Sequence, residues 1–275
     1  MIPMLKMNDG KMIPQLGLGV WQASDAEVLG AIKTAAQAGY RQIDTARRYD
    51  NEAGVGEAIR ACGVERDEMF VTTKVWNNDQ GYEATLRAFD ASLERLKMDV
   101  VDLFLIHWPV PEQGLATETW KALIALQKQG RARSIGVCNF RESDLDELID
   151  ATGVTPAINQ IEIHPAFQQA DLIAANTKRG ILSQAWSPLG QGKMLQDPTI
   201  ANIAAQHQRT PAQIILRWHI EQGHVVIPKS VTPSRILENA AVFDFALTDS
   251  DLTAIKGLDR TDGRIGPDPA TFAMM

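Results

Sequence analysis

Eight short, continuously apolar runs recur along this chain, separated by longer segments that carry apolar residues every three or four positions. The runs are LGLGV, RQID, MFVTTK, VDLFLIH, ARSIGVCN, AINQ, ILSQAW and HVVIPK, and segments such as DAEVLGAIKTAAQAG and YEATLRAFDASLERLK have helical spacing. Hydrophobicity that does not alternate marks strands buried on both faces, and their alternation with helices implies right-handed βαβ units. Eight such units within 275 residues favour a (β/α)8 TIM barrel over an open doubly wound sheet. Ahead of the repeat, MLKMNDGKMIPQLG has two short arms around Asn8-Asp9-Gly10, which predicts a β-hairpin lid. No Pro/Gly/Ser linker interrupts the pattern, so residues 1–275 read as a single domain.

What stands where each run stops is more informative. Asp44, Lys74, His107, Asn139, Gln160, Trp186 and Lys229 close successive runs. In a barrel those ends converge on one rim, where barrel active sites lie. Tyr49 follows five residues after Asp44 in DTARRYDNEAGVG. Each of these residues alone has an ordinary reading. Tyr49 can be a packed aromatic, Lys74 and Asp44 a structural ion pair, and His107 a satisfied core histidine. His164, His207, His219 and His224 show no metal-ligand spacing, which argues against a zinc site.

Four of the rim residues together describe a chemistry. A phenol titrates near ~10 when unperturbed, so donating a proton at neutral pH requires a neighbour that stabilises its anion. Lys74 supplies positive charge, Asp44 keeps that lysine charged and aimed, and His107 can orient the same substrate oxygen. A proton delivered to an oxygen while the attached carbon is reduced is carbonyl reduction. No side chain provides a hydride, so a cofactor is required.

That cofactor would not sit on a Rossmann fingerprint. Gly17-Leu18-Gly19 and Gly54-Val55-Gly56 lack the third glycine, and Gly190-Gln191-Gly192-Lys193 is followed by Met194 where a phosphate loop needs Ser or Thr. A better anion site lies in PKSVTPSRILEN. Thr232-Pro233 can open a helix, and Lys229, Ser230 and Arg235 supply donors beside its free amides. The ordinary reading is a capped helix with solvated charges; two cations beside hydroxyls favour the 2′-phosphate of NADP.

Composition narrows the partners. A formal charge of -7 argues against nucleic acid or an anionic membrane as the main partner. No apolar run approaches the ~20 residues of a spanning helix, and the N-terminus lacks the pattern of a signal peptide. Two cysteines, Cys62 and Cys138, cannot form a disulfide framework. A cytoplasmic protein is expected, and nothing advertises an interface, so a monomer is expected too.

The motifs GYRQIDTARRYDNEAGVG, LERLKMDVVDLFLIHWP, GVCNF, NQIEIHP, WSPLGQGK and IPKSVTPSRILEN, in this order and spacing, resemble those of the aldo-keto reductase family. The resemblance extends from about Met4 to Asp268 and is strongest to bacterial reductases of 2,5-diketo-D-gluconate and methylglyoxal. It implies Tyr49 as general acid, with Asp44 and Lys74 lowering its pKa and His107 orienting a small-molecule carbonyl. It further implies that Asn139 and Gln160 hold the nicotinamide carboxamide of NADPH, with Trp186 stacked on the ring. Ser187, Leu189 and Gln191 would line the pyrophosphate. Lys229, Ser230, Val231, Thr232 and Arg235 would take the ribose and 2′-phosphate, and Glu238 and Asn239 the adenine. Trp21, Trp76 and Trp108 would wall the substrate pocket.

One departure bears on substrate. Arg47-Arg48 stands where such reductases usually carry small or uncharged residues, and Arg48 precedes Tyr49 directly. Arg48 either binds a substrate carboxylate or is a solvated rim charge paired with Asp50 or Glu52. The tail DRTDGRIGPDPATFAMM is short and rich in Gly and Pro, which predicts an open pocket. Two other readings stay open: a Schiff-base lyase with Lys74 as nucleophile, and a protein that binds NADPH without turnover.

Overall fold

The computed structural model describes residues 2–275. Strands β1 (Met4–Lys6) and β2 (Met12–Pro14) form the expected antiparallel hairpin. The repeat follows: β3 (Leu18–Gly19), α1 (Asp25–Gln37), β4 (Gln42–Asp44), α2 (Glu52–Ala61), β5 (Phe70–Val75), α3 (Tyr82–Leu96), β6 (Val101–Ile106) and α4 (Ala116–Lys128). It continues with β7 (Ala132–Cys138), α5 (Glu142–Thr152), β8 (Ile158–Glu162), α6 (Ala170–Lys178) and β9 (Leu182–Trp186). Helices α7 (Pro198–His207) and α8 (Pro211–Glu221), strand β10 (Val225–Val226), and helices α9 (Pro233–Ala240) and α10 (Asp249–Lys256) complete the chain. Each apolar run of the sequence has become one strand of the parallel sheet β3 to β10.

The eight strands lie in sequence order, each parallel to the next. Isolated parallel bridges, Leu16 to Val226 and Gly19 to Lys229, join β3 to β10 and close the barrel. At the seam a Cβ on residue 19 would lie 2.8 Å from the Ile227 carbonyl oxygen, so glycine permits the closure. Side chains alternate between the interior and the helices. Val71 and Val75 join the cluster beneath the helices, while Phe70 joins the barrel floor. Thr72 and Lys74 share the inward side with Phe70.

The hairpin covers the end of the barrel opposite the strand C-termini. Met7 and Ile13 pack on Phe70, Leu103, Leu105, Ile158 and Val225. Asn8 Nδ2 donates to the Pro156 carbonyl just before β8 (2.8 Å), and Ser134 Oγ donates to Asp9 (2.7 Å). The lid is thus a plug for the floor and leaves the rim to the βα loops. Among the described residues, no helix is long and apolar enough to cross a membrane.

Candidate active site

Asp44 is the last residue of β4 and Lys74 the penultimate residue of β5, both inward-facing and almost fully buried. The Lys74 ammonium donates to Asp44 Oδ1, to the Thr45 carbonyl at 3.0 Å and to the Tyr49 phenol oxygen at 3.4 Å. Tyr49 reaches it from a single 3-10 turn, Arg47–Tyr49, directly above β4. From across the barrel, Gln160 Nε2 donates to Asp44 Oδ2 (2.7 Å) and to Gln184 (2.9 Å). His107 follows β6 and stands edge-on to Tyr49, ring centroids 5.7 Å apart, and to Trp76, 5.0 Å apart. The four residues singled out for chemistry converge on one rim.

Their charge states follow from this packing. Burial alone would push Lys74 down; Asp44 beside it outweighs burial, and the ammonium titrates above its ordinary value. Burial drives His107 well below the ordinary histidine range, and Lys74 and Arg48 add to the fall. The imidazole is therefore neutral, with Nδ1 buried and without a hydrogen-bond partner among the described residues. Tyr49 departs from expectation. Burial pushes its phenol up to about 12; Lys74 opposes the rise, but Asp44 adds to it. Asp44 was expected to lower this pKa. Its carboxylate instead repels the phenolate directly, and only Lys74 acts in the expected direction.

The cofactor candidates lie around the same mouth. Asn139, in the left-handed region at φ 62°, donates through Nδ2 to the His107 carbonyl (3.0 Å), and its Oδ1 accepts from the Trp186 indole N–H (2.8 Å). Ser187 (φ 47°) and Gln191 (φ 51°) also take left-handed conformations in the turn after β9, which carries Leu189 between them. At the far side, Thr232 precedes α9 without capping its amides, and Pro233 opens the helix. Ser230 Oγ instead accepts from the Thr232 amide (3.2 Å). Lys229, Thr232 and Arg235 are exposed, Val231 and Glu238 half-buried, and Ser230 and Asn239 buried. Among the described residues neither Lys229 nor Arg235 has an ion-pair partner. Uncapped amides and two uncommitted cations are a donor set suited to a nucleotide phosphate.

The expected pocket walls differ in exposure. Trp76 and Trp108 are buried, whereas Trp21 is 43% exposed. Arg48 lies 5.5 Å from the centroid of the Trp76 ring. Neither acidic neighbour holds it, because Asp50 pairs with Arg47 (2.6 Å) and Glu52 with Arg95 (2.7 Å). The tail does not leave the pocket open. Phe272 packs on Trp108 (4.3 Å) and Trp76 (6.3 Å), and the Met274 carbonyl accepts from Asn77 Nδ2 (2.7 Å). Gly and Pro let the tail bend back over the mouth, and its one aromatic supplies the apolar anchor.

Two contributors escaped the sequence reading. Phe272 lies in a stretch without periodicity. Glu162 lies outside the run AINQ, which ends at the polar Gln160, whereas β8 continues for two more residues. The signal was there in INQIE, since Glu162 is two positions beyond Gln160 and points to the same side.

Comparison with known proteins agrees with this geometry. The model of the aldo/keto reductase family matches residues 15–260. An aldo-keto reductase of Mycolicibacterium smegmatis is 54% identical, covering 99% of this chain and 98% of that protein. The methylglyoxal reductase DkgA of Yersinia pestis is 51% identical over 99% of this chain and 98% of its own length. A variant of Gox0644, solved in complex with NADPH, superposes with a TM-score of 0.96 at 48% identity, covering 100% of both chains. With the barrel, its rim and these full-length likenesses in agreement, the chain belongs to the aldo/keto reductase family.

Proposed function

We propose that this protein is an NADPH-dependent reductase of aldehydes and ketones, acting on small 2-oxoaldehydes and on diketo acids such as 2,5-diketo-D-gluconate. The observation that carries the reading is the Lys74 ammonium held between Asp44 and the Tyr49 phenol. Likeness to an NADPH-bound structure and to a methylglyoxal reductase supports the cofactor and the substrate class. Bound NADPH supplies the hydride. Tyr49, protonated throughout the neutral range, donates to the carbonyl oxygen, and the phenolate left behind faces the Lys74 charge. Asp44 keeps Lys74 in place. Neutral His107 offers a hydrogen bond to the same oxygen without competing as an acid.

In this reading Asn139 and Gln160 hold the carboxamide beside Trp186, and Ser187, Leu189 and Gln191 follow the pyrophosphate. Lys229, Ser230, Val231, Thr232 and Arg235 take the 2′-phosphate end, with Glu238 and Asn239 at the adenine. Trp21, Trp76, Trp108 and Arg48 line the substrate side. The whole rim belongs to one chain and one domain, consistent with a monomer, and two buried free thiols suit a cytoplasmic setting. A Schiff-base role for Lys74 would need a neutral amine, which the pairing with Asp44 opposes.

The deciding experiment is NADPH oxidation by the wild type and by Tyr49→Phe, against methylglyoxal and 2,5-diketo-D-gluconate. Loss of the general acid should cost about 10²–10⁴ in kcat while NADPH binding persists. Unchanged turnover in Tyr49→Phe would remove the phenol from the mechanism.

A further inference from the structure

Glu162 ends β8 on the inward side, at the same rim as Asp44 and Lys74, and is 1% exposed. Its carboxylate is shared between the C-terminal tail and the loop after β8. Oε1 accepts from the Ile265 amide (2.6 Å) and contacts His164 Nε2 (2.9 Å), and Oε2 accepts from the Gly266 amide (2.8 Å). These hydrogen bonds outweigh burial and keep the acid below its ordinary pKa, so the group is a carboxylate at neutral pH.

What the tail touches gives this clamp a consequence. A Cβ added at Gly266 would stand 2.4 Å from Cη2 of Trp186 and 3.1 Å from Glu162 Oε2. The tail backbone is therefore pressed against the edge of the indole, in a space no side chain could share. Beyond it the tail crosses the mouth to Phe272, which rests on Trp108. The other side of the clamp bears on the loop behind Trp186, because a Cβ at Gly190 would lie 3.6 Å from the His164 ring. One buried carboxylate thus joins the tail, at the edge of the Trp186 indole, to the loop after β8.

We propose that Glu162 is a positioning residue: by holding the amides of Ile265 and Gly266 it seats the tail against Trp186 and fixes the indole on which the nicotinamide stacks. The inference rests on the assignment of Trp186 to the nicotinamide. It makes the tail part of the cofactor site as well as a wall of the substrate pocket, and it separates the tail's two ends by function. The Gly266 end governs cofactor affinity; the Phe272 end governs the carbonyl.

The test is NADPH affinity of the full-length chain, read by quenching of tryptophan emission, with KM and kcat for methylglyoxal alongside. Glu162→Gln turns an acceptor into an amide facing a backbone N–H, and should raise the NADPH Kd about tenfold, the scale of one charge-assisted hydrogen bond. Gly266→Ala, which keeps the carboxylate and both backbone donors but sets a methyl 2.4 Å from the indole and 3.1 Å from Glu162 Oε2, should raise it comparably. Phe272→Ala should raise the carbonyl KM and leave the NADPH Kd within about twofold of wild type, because its ring contacts are with Trp108 and Trp76, and Trp186, although it packs on the same cluster, keeps its Gly266 contact. A purely structural role for Glu162 would lower the melting temperature and leave the Kd of the folded protein alone. Unchanged Kd in both Glu162→Gln and Gly266→Ala overturns the proposal. So does a rise in Glu162→Gln unaccompanied by one in Gly266→Ala, or an equal rise in Phe272→Ala. Wild-type protein that does not bind NADPH would instead sink the reading of the site itself, and this inference with it.

Discussion

Arg47 and Arg48 are neighbours in sequence with different surroundings. Arg47 is neutralised by Asp50 at 2.6 Å, an exposed pair worth little to stability. Arg48, left without either acidic neighbour, lies by the Trp76 ring and lowers the His107 pKa, so its charge is felt inside the pocket. A guanidinium in that position suits the carboxylate of a keto acid. Arg48→Ala should lower kcat/KM for 2,5-diketo-D-gluconate about tenfold, the scale of a single charge-assisted hydrogen bond, and leave methylglyoxal nearly unaffected. Steady-state kinetics on the two substrates would measure the ratio. A ratio equal to wild type would make Arg48 a solvated rim charge. Tyr49 shows the same sensitivity to surroundings in the opposite direction: one neighbour, Lys74, lowers its pKa while Asp44, a bond further on, raises it. Residue types and spacing pointed to all three groups. How strongly Asp44 acts on the phenol directly, against its indirect help through Lys74, depends on distances that spacing does not contain.

Elements were legible to the extent that their chemistry repeats. Each buried parallel strand must be apolar on both faces, so the runs announced β3 to β10, and polar residues at their ends announced the rim. The end of β8 is less legible, because Gln160 has the look of a terminal polar residue while the backbone ladder to β9 runs on to Glu162 opposite Trp186. The tail has no period at all, and where it returns is decided by contacts more than a hundred residues away in sequence, such as the amides of Ile265 and Gly266 on Glu162. Helix α9 is the opposite case, announced by Thr232-Pro233 and left uncapped at its start. Under the proposed assignment, its Arg235, with Lys229 ahead of it, would meet a phosphate that NADPH carries and NADH lacks. Arg235→Ala should raise the Kd for NADPH about tenfold, again one charge-assisted contact, and change that for NADH by less than about twofold. Equal losses for both dinucleotides would move Arg235 away from the 2′-phosphate.

At the scale of the whole molecule, the two ends of the barrel divide the work. Polar side chains and the tail occupy the rim at the strand C-termini, whereas the floor is closed by apolar side chains of the hairpin. Ile13 is fully buried there, against a floor that includes Phe70, Leu103 and Val225. Truncating such a side chain removes its transfer free energy and leaves a cavity, which together cost about 2–5 kcal/mol. The floor residues stand on the same strands as the rim but at their opposite ends, with a close-packed layer between them, as where Thr72 separates Phe70 from Lys74 along β5. Loss of packing at the floor therefore need not move the rim while the protein stays folded. Ile13→Ala should lower the midpoint of denaturant unfolding by an amount equivalent to about 2–5 kcal/mol, with kcat and the NADPH Kd at 25 °C unchanged. A fall in kcat at a temperature where the variant is fully folded would show that the plug shapes the site as well as sealing the core. The same fall in stability with intact turnover would place the hairpin on the stability side of the barrel, where residues at the strand N-termini belong.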